Sequence, residues 1–363
     1  MPFDQRLDHL RPDRTNFGPF CLVVGGAGFL GRALVRALLD RGLGVHAFDR
    51  RPAFEKDGRV KFFTGDIRDH DAVRRATQGC STVFHTAAVL NFLGVCKHAV
   101  RREVADINVG GTRNVIAACE AAGASRLVYT STNTVCFDPR PVLYGDESKP
   151  YSTSFIDIYG ETKTEAEKAV LAADRPGGLR TVAIRPAGLW GPGPGCYMVT
   201  KFVEELAGGK FVATVGNGKS LADNTHVDNL VFAEFLAAEK LIEAPDVVGG
   251  QAYFVTDEEP MNLIDWFSPL FEELGYKRPK ISIPVPLMYW TAYLMEWLHR
   301  FGGPRPLMTR LEVHNLTTDF IFRTDRARRE LGYRPLVRHV EGLMECVPHC
   351  REVLEQARRK KKP

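Results

Sequence analysis

Tyr159 and Lys163, four residues apart in the stretch Tyr-Gly-Glu-Thr-Lys, are the pair in this chain best suited by type and spacing to move a proton. Positions i and i+4 share a helix face, so the ammonium can lie close to the phenol. A neighbouring cation favours phenolate and lowers a phenol pKa from its ordinary value of about 10. A phenol tuned in this way takes a proton from an alcohol, or returns one to a ketone. Thr132 stands 27 residues upstream, just past an apolar run, where its hydroxyl can hydrogen-bond and orient the reacting oxygen. Ser131 beside it is an alternative donor. Asn108 is a further candidate, holding a water that links Lys163 to solvent, while Lys163 can also grip the ribose of a nicotinamide. Singly, each has a plain reading: Tyr-x-x-x-Lys arises by chance on surface helices, and Ser or Thr at a strand end is an ordinary cap. Together they point to hydride transfer.

A hydride carrier needs a cradle, and Cys21-Leu22-Val23-Val24-Gly25-Gly26-Ala27-Gly28-Phe29-Leu30-Gly31 reads as strand, turn and helix start. Gly25 makes the tight turn, Gly28 admits a pyrophosphate, and Gly31 lets the helix press on the sheet. The phosphate would rest on the open N–H groups of Phe29, Leu30 and Gly31. Asp49, closing a second apolar run, is placed to accept from an adenosine ribose, which favours NAD. Arg50 and Arg51 follow it and would serve a 2′-phosphate, so NADP is the alternative. Asp66 and Ile67 are expected at the adenine, with an ordinary helix-start carboxylate as the plain reading of Asp66. Thr86, Ala87 and Ala88 are small enough for close approach, and Pro186 completes the set.

The elements carrying these residues alternate. Strand patterns at 60–64, 82–85, 126–131 and 179–184 are separated by helical ones, including 100–122 and 156–173, which predicts a parallel, doubly wound α/β sheet of Rossmann type. Gly110 and Gly111 inside a helix call for a packing reason. A loop is expected at 138–152. After Arg185 a run of glycines and prolines breaks the rhythm, and helices at 197–208 and 228–241 precede a strand at 252–255. The expected division is a flexible leader (1–19), a dinucleotide-binding domain (20–186, with 223–256 returning to it), a smaller interleaved substrate domain (187–222 and 257–345), and a basic tail (346–363).

The 363 residues suffice for a full core, and 44% are apolar. The net charge of +4 is owed to Arg358–Lys362, leaving the rest near neutrality, so nucleic-acid binding has no support. Eight cysteines without a C-x-x-C pair, and no metal-ligand spacing, read as reduced thiols in a cytoplasmic protein. No apolar leader suggests secretion. Residues 281–298 are the most apolar stretch, too short after Pro284 and Pro286 to span a bilayer. They read as a buried helix, a greasy wall over an apolar substrate, or a patch dipping into a membrane beside the basic tail. A homodimer is the commonest assembly for such a chain.

The glycine turn, Asp49, Gly65-Asp66, Asn108, Tyr129-Thr130-Ser131-Thr132, Tyr159/Lys163, Arg185-Pro186 and Thr225-His226-Val227-Asp228-Asn229 fall in an order that resembles the extended short-chain dehydrogenase/reductases. The resemblance covers about 20–345. Within that family it is closest to the 3β-hydroxysteroid dehydrogenase branch, and particularly to sterol-4α-carboxylate 3-dehydrogenases (decarboxylating), through phrases such as Ile-Arg-Pro-Ala-Gly-Leu-Trp-Gly-Pro-Gly. It implies a triad of Thr132, Tyr159 and Lys163, with Thr where most members have Ser. It also implies oxidation of a sterol 3β-hydroxyl, with loss of carbon dioxide where carbon 4 bears a carboxylate. The rival readings are an NADPH-dependent 2-alkyl-3-oxoalkanoate reductase, a nucleotide-sugar epimerase or dehydratase, and a non-catalytic NAD-binding protein.

Overall fold

The computed structural model describes residues 17–18, 20–54, 57–93, 95–137, 140–209 and 213–361. Five strands come first: β1 (Phe20–Val24), β2 (Gly44–Asp49), β3 (Val60–Thr64), β4 (Thr82–His85) and β5 (Arg126–Thr130). β6 (Val142–Gly145), β7 (Arg180–Pro186), β8 (Gly188–Trp190), β9 (Ala213–Val215) and β10 (Asn224–His226) follow, then β11 (Gln251–Val255), β12 (Ile281–Ile283) and β13 (Phe320–Phe322). Seven of them form one sheet, in the order β11-β7-β5-β4-β1-β2-β3, and every neighbouring pair is parallel. Chain direction across the sheet reverses between β1 and β4. A doubly wound sheet opens its ligand crevice at that point, beyond the strand ends.

Helices cover both faces, which is why the strands are continuous apolar runs. Helix α1 (Phe29–Asp40) lies on one face, and α2 (His70–Thr77) on the other. A long helical stretch follows, made of α3 (His98–Ala105), a π turn (Asp106–Gly110) and α4 (Gly111–Ala122). Gly111 has the expected packing reason: a Cβ there would lie 2.6 Å from Ile67 Cγ2, whereas one on Gly110 would meet nothing. Then come α5 (Ile158–Ala172), α6 (Tyr197–Gly208) and α7 (Val227–Glu243). Leu22, Val83 and Leu127 pack with α2, α4 and α5, while Val23, Phe84 and Val128 pack with α1 and α7. The alternation along each strand thus feeds two cores.

Beyond the sheet, α8 (Val285–Arg300) and α9 (Arg310–Thr317) join the β9–β12 pair in a small lobe centred on Val215, Ala292 and Val313. The last helix, α10 (His339–Lys361), packs on α6. The expected leader lies outside the described residues except Phe17 and Gly18, and Phe17 is buried, edge-on to Phe84 at 6.5 Å. Three expectations need correction here. The residues read as a basic tail from 346 run in this helix as far as Lys361, with Cys346, Cys350 and Leu354 buried. The 138–152 loop contains β6, which pairs with β13. Finally, α8 is not a buried helix. Trp290 is 68% exposed, Leu294 56% and Phe301 69%, and only Ala292 and Glu296 are fully covered.

Candidate active site

Helix α5 starts at the Asp157 cap, whose carboxylate accepts from Gly160 N at 2.9 Å. That start sets the phase of the helix, and Tyr159, Lys163 and Glu167 all turn inward and are buried. Tyr159 meets Phe92 edge-on, with ring centroids 5.6 Å apart. Lys163 Nζ donates to the carbonyl of Thr130 at 2.6 Å and lies 4.1 Å from the centre of the Tyr129 ring. Burial lowers its pKa to about 7, against the fields of Glu167 and Glu234. Burial also pushes the Tyr159 phenol up, and Asp157 adds to this; only a hydrogen bond with Thr132 lowers it. The phenol is thus raised here rather than lowered, and the bond to Thr130 holds Lys163 at the end of β5.

Thr132 is nearly buried and caps a 3₁₀ turn (Asn133–Cys136), its hydroxyl accepting from Thr134 N at 3.2 Å. It does so while also reaching Tyr159. Ser131 borders the same cavity, and its buried hydroxyl finds no partner among the described residues. Asn108 does not border the cavity. Its side-chain oxygen accepts from Val89 N at 2.8 Å, and its amide nitrogen donates to Thr162 Oγ1 at 3.0 Å. These bonds clamp the 89 loop against α5.

The glycine turn fits a dinucleotide. Gly25 has φ +91, and a Cβ there would come within 2.7 Å of Ala87 N. Gly28 begins α1 without any side-chain cap, leaving its first N–H groups facing the cavity. Asp49 accepts from Ala27 N at 3.2 Å and Arg51 N at 3.1 Å, which holds its carboxylate beside the turn. Gly25, Gly28, Phe29, Leu30, Gly31, Asp49, Arg50, Asp66, Ile67, Thr86, Ala87, Ala88 and Pro186 all border one cavity with Thr132, Tyr159 and Lys163. Asp66 is already engaged by Arg68 at 2.7 Å, which holds its carboxyl below the usual range. The helix-start role belongs to Asp69 instead, which caps α2. A Cβ on Gly31 would sit 2.1 Å from the Gly25 carbonyl oxygen, and backbone cannot yield as a side chain can. Gly31→Ala should therefore strain the turn by about 1–3 kcal/mol and weaken nucleotide binding roughly 10- to 100-fold, measured by fluorescence titration.

The cavity, about 1100 Å³, continues from Tyr159 into an apolar chamber. Its far wall is Tyr197, Met198 and Phe202 of α6, Trp266 and Phe267, and Met308, Leu311 and Leu316 at α9. No residue of 281–298 borders it, so the greasy wall expected there is supplied by other segments. Lys201 and Glu312 also face the cavity, paired with each other. Sequence reasoning placed α6 but gave it no role; the spacing of Tyr197, Met198, Lys201, Phe202 and Glu205 along one helix face was the available signal.

Residues 22–285 match the 3-beta hydroxysteroid dehydrogenase/isomerase family. The chain belongs to it. Membership makes this protein an NAD(P)-dependent oxidoreductase acting on a CH–OH group. Among members of the family, the 3 beta-hydroxysteroid dehydrogenase/Delta 5→4-isomerase of Mycobacterium tuberculosis is 41% identical over 340 residues, 92% of this chain and 91% of that one. The 3beta-hydroxysteroid-dehydrogenase/decarboxylase isoform 1 of Arabidopsis thaliana is 36% identical over 351 residues, 90% of this chain and 79% of that one. The solved structure of MoeE5 in complex with UDP-glucuronic acid and NAD superposes with a TM-score of 0.70 at 25% identity, covering 92% of this chain and 99% of that one. UDP-glucuronic acid 4-epimerase from Bacillus cereus, at 18% identity and TM-score 0.72 over 92% and 99%, shares the fold.

Proposed function

We propose that this family member oxidises the 3β-hydroxyl of a sterol or steroid, using NAD. The observation that carries the reading is the single cavity that joins the glycine cradle, the Thr132–Tyr159–Lys163 cluster and an apolar chamber. A bound NAD would accept the hydride from carbon 3. Tyr159 takes the proton of the hydroxyl, Thr132 hydrogen-bonds the oxygen, and the Lys163 charge offsets the phenolate. The orphaned Ser131 hydroxyl is a second donor for the ketone oxygen. Held near Gly25, Asp49 favours a free ribose over a 2′-phosphate. Where carbon 4 bears a carboxylate, the β-keto acid formed can lose carbon dioxide, with the same hydroxyls stabilising the enolate oxygen. A 3β-hydroxy-4α-carboxysterol is our leading substrate, by the likeness to the decarboxylase.

Turnover with NAD and NADP should be compared on that carboxysterol, on the same sterol without the carboxylate, and on a 2-alkyl-3-hydroxyalkanoate. NADH formation with loss of carbon dioxide is the expected result. Silence on both sterols with fast NADP-dependent turnover of the alkanoate would overturn the reading.

Among the described residues, no helix is long and apolar enough to cross a membrane. Helix α8 instead lays an apolar stripe outward: Leu287, Trp290, Leu294, Trp297 and Phe301 recur at spacings of three and four. Glu296 does not interrupt it, since its carboxylate turns inward to Arg310 at 3.0 Å. Trp and Tyr with outlying Arg300 and Arg305 suit a phospholipid surface, and we propose that the protein works in the cytoplasm, peripheral to the inner face of a membrane. A W290E/L294E variant should partition into anionic vesicles roughly 100-fold more weakly, by co-sedimentation; equal partitioning would refute this contact.

A further inference from the structure

Lys201 and Glu312 set two charges into a chamber whose other walls are largely apolar. Among the described residues, four cationic side chains border the cavity. Arg50 and Arg51 follow Asp49 at the nucleotide end, Lys163 lies one turn from Tyr159, and Lys201 alone stands among the chamber walls. A line of contacts leads to it from the phenol. Tyr159 meets Phe92 with ring centroids 5.6 Å apart, Phe92 meets Tyr197 at 6.0 Å, and Lys201 Nζ lies 5.6 Å from the Tyr197 ring. The ammonium donates to Glu312 and lies 3.9 Å from Glu205, which also borders the cavity. Glu312 accepts in addition from the Tyr197 hydroxyl at 3.2 Å and from Thr309 N at 2.8 Å. The pair is not sealed, since the two side chains remain 29% and 20% exposed. A hydrocarbon lying against them would strip the remaining water from both charges and return nothing. A hydroxyl or carbonyl oxygen would take the place of that water.

We propose that Lys201 and Glu312 determine specificity, selecting a steroid that carries an uncharged oxygen on its fourth ring, at the end remote from carbon 3. The proposal rests on the 3β-hydroxysteroid substrate proposed above and holds whatever carbon 4 bears. A hydroxyl there can accept from Lys201 Nζ and donate to Glu312, while a ketone can only accept. A carboxylate is a poor occupant, because Glu205 and Glu312 already set two negative charges against one positive. A purely structural tie between α6 and α9 would not make binding depend on one distant oxygen of the ligand.

The 3β,17β-diol of an androstene and the matching 3β-alcohol differ only in that far hydroxyl. The parent should favour the diol in kcat/KM by about 10- to 100-fold, mainly through KM. Lys201→Met should reduce the preference to within about threefold, and Lys201→Arg should keep most of it. Lys201→Met/Glu312→Gln removes both charges and strands neither, so it carries the test if the single variant does not fold. Calorimetric titration of the two alcohols into the NADH complex needs no turnover and should show the same ratio. Equal treatment of the two compounds by the parent, a preference that survives in Lys201→Met, or a parent that prefers the 17-carboxylate would overturn the proposal. If neither compound is turned over, yet calorimetry shows the preference and its loss in Lys201→Met, the role of the pair stands and the 3β-hydroxyl assignment fails. If both are turned over with equal kcat/KM, only the role of the pair fails; if neither binds, both ideas fall.

Discussion

Tyr159→Phe should lower kcat about 10³-fold while nucleotide affinity stays within roughly twofold, about 0.4 kcal/mol. Phe keeps the edge contact with Phe92 and the packing of α5, and removes only the oxygen that exchanges a proton with substrate. The loss should be large because the phenol is buried and its place cannot be taken by bulk water. Ser131 and Thr132 carry hydroxyls into the same cavity, but neither is an acid or base near neutral pH. Turnover on a 3β-hydroxysterol, paired with a fluorescence titration of NADH, checks both halves. A variant that binds nucleotide and retains more than about a tenth of the rate would move the proton-transfer role elsewhere.

The largest expected effect on stability is at Glu167. Its carboxylate is completely buried, takes two bonds from Arg185 Nε at 3.1 Å and one from Nη2 at 2.6 Å, and accepts from the Tyr151 hydroxyl at 2.8 Å. Removing one partner of a buried pair strands the other charge without water or ligand. Glu167→Ala should therefore cost about 3–5 kcal/mol, seen as a fall in the urea midpoint. Replacing both Glu167 and Arg185 with Met removes the stranded charge and should recover much of that loss. A Glu167→Ala variant within about 1 kcal/mol of the parent would mean the guanidinium finds solvent.

The parallel sheet was legible because its signal is redundant. Most strands of the sheet are apolar runs closed by Gly, Asp or Thr, the helices between are amphipathic, and the β1 turn carries its three glycines. The Tyr159–Lys163 spacing was legible for the same local reason. What the sequence concealed depends on which side water lies. Residues 281–298 are apolar in either case, and hydropathy does not distinguish a face that packs from one that faces out. The true chamber wall is assembled from α6, 261–267 and α9, which meet only in the fold. At the C-terminus, five terminal charges masked the spacing of Leu343, Cys346, Cys350 and Leu354, a helical signal that was present. The position of Lys163 against the Thr130 carbonyl was invisible too, since it depends on where β5 ends relative to α5.

The π turn at Asp106–Gly110 makes the length of its helix matter as much as its composition. It holds one residue beyond α-helical winding, which offsets the two flanking helices by about 100°. With that offset, Arg101 reaches Glu161 at 2.6 Å while Gly111 lies against Ile67 and Thr112 meets His85 at 2.9 Å. Deleting a single residue here would restore ideal winding and swing one half off its partners. Descendants of this chain can exchange side chains along the segment, but an insertion or deletion has no silent place to fall.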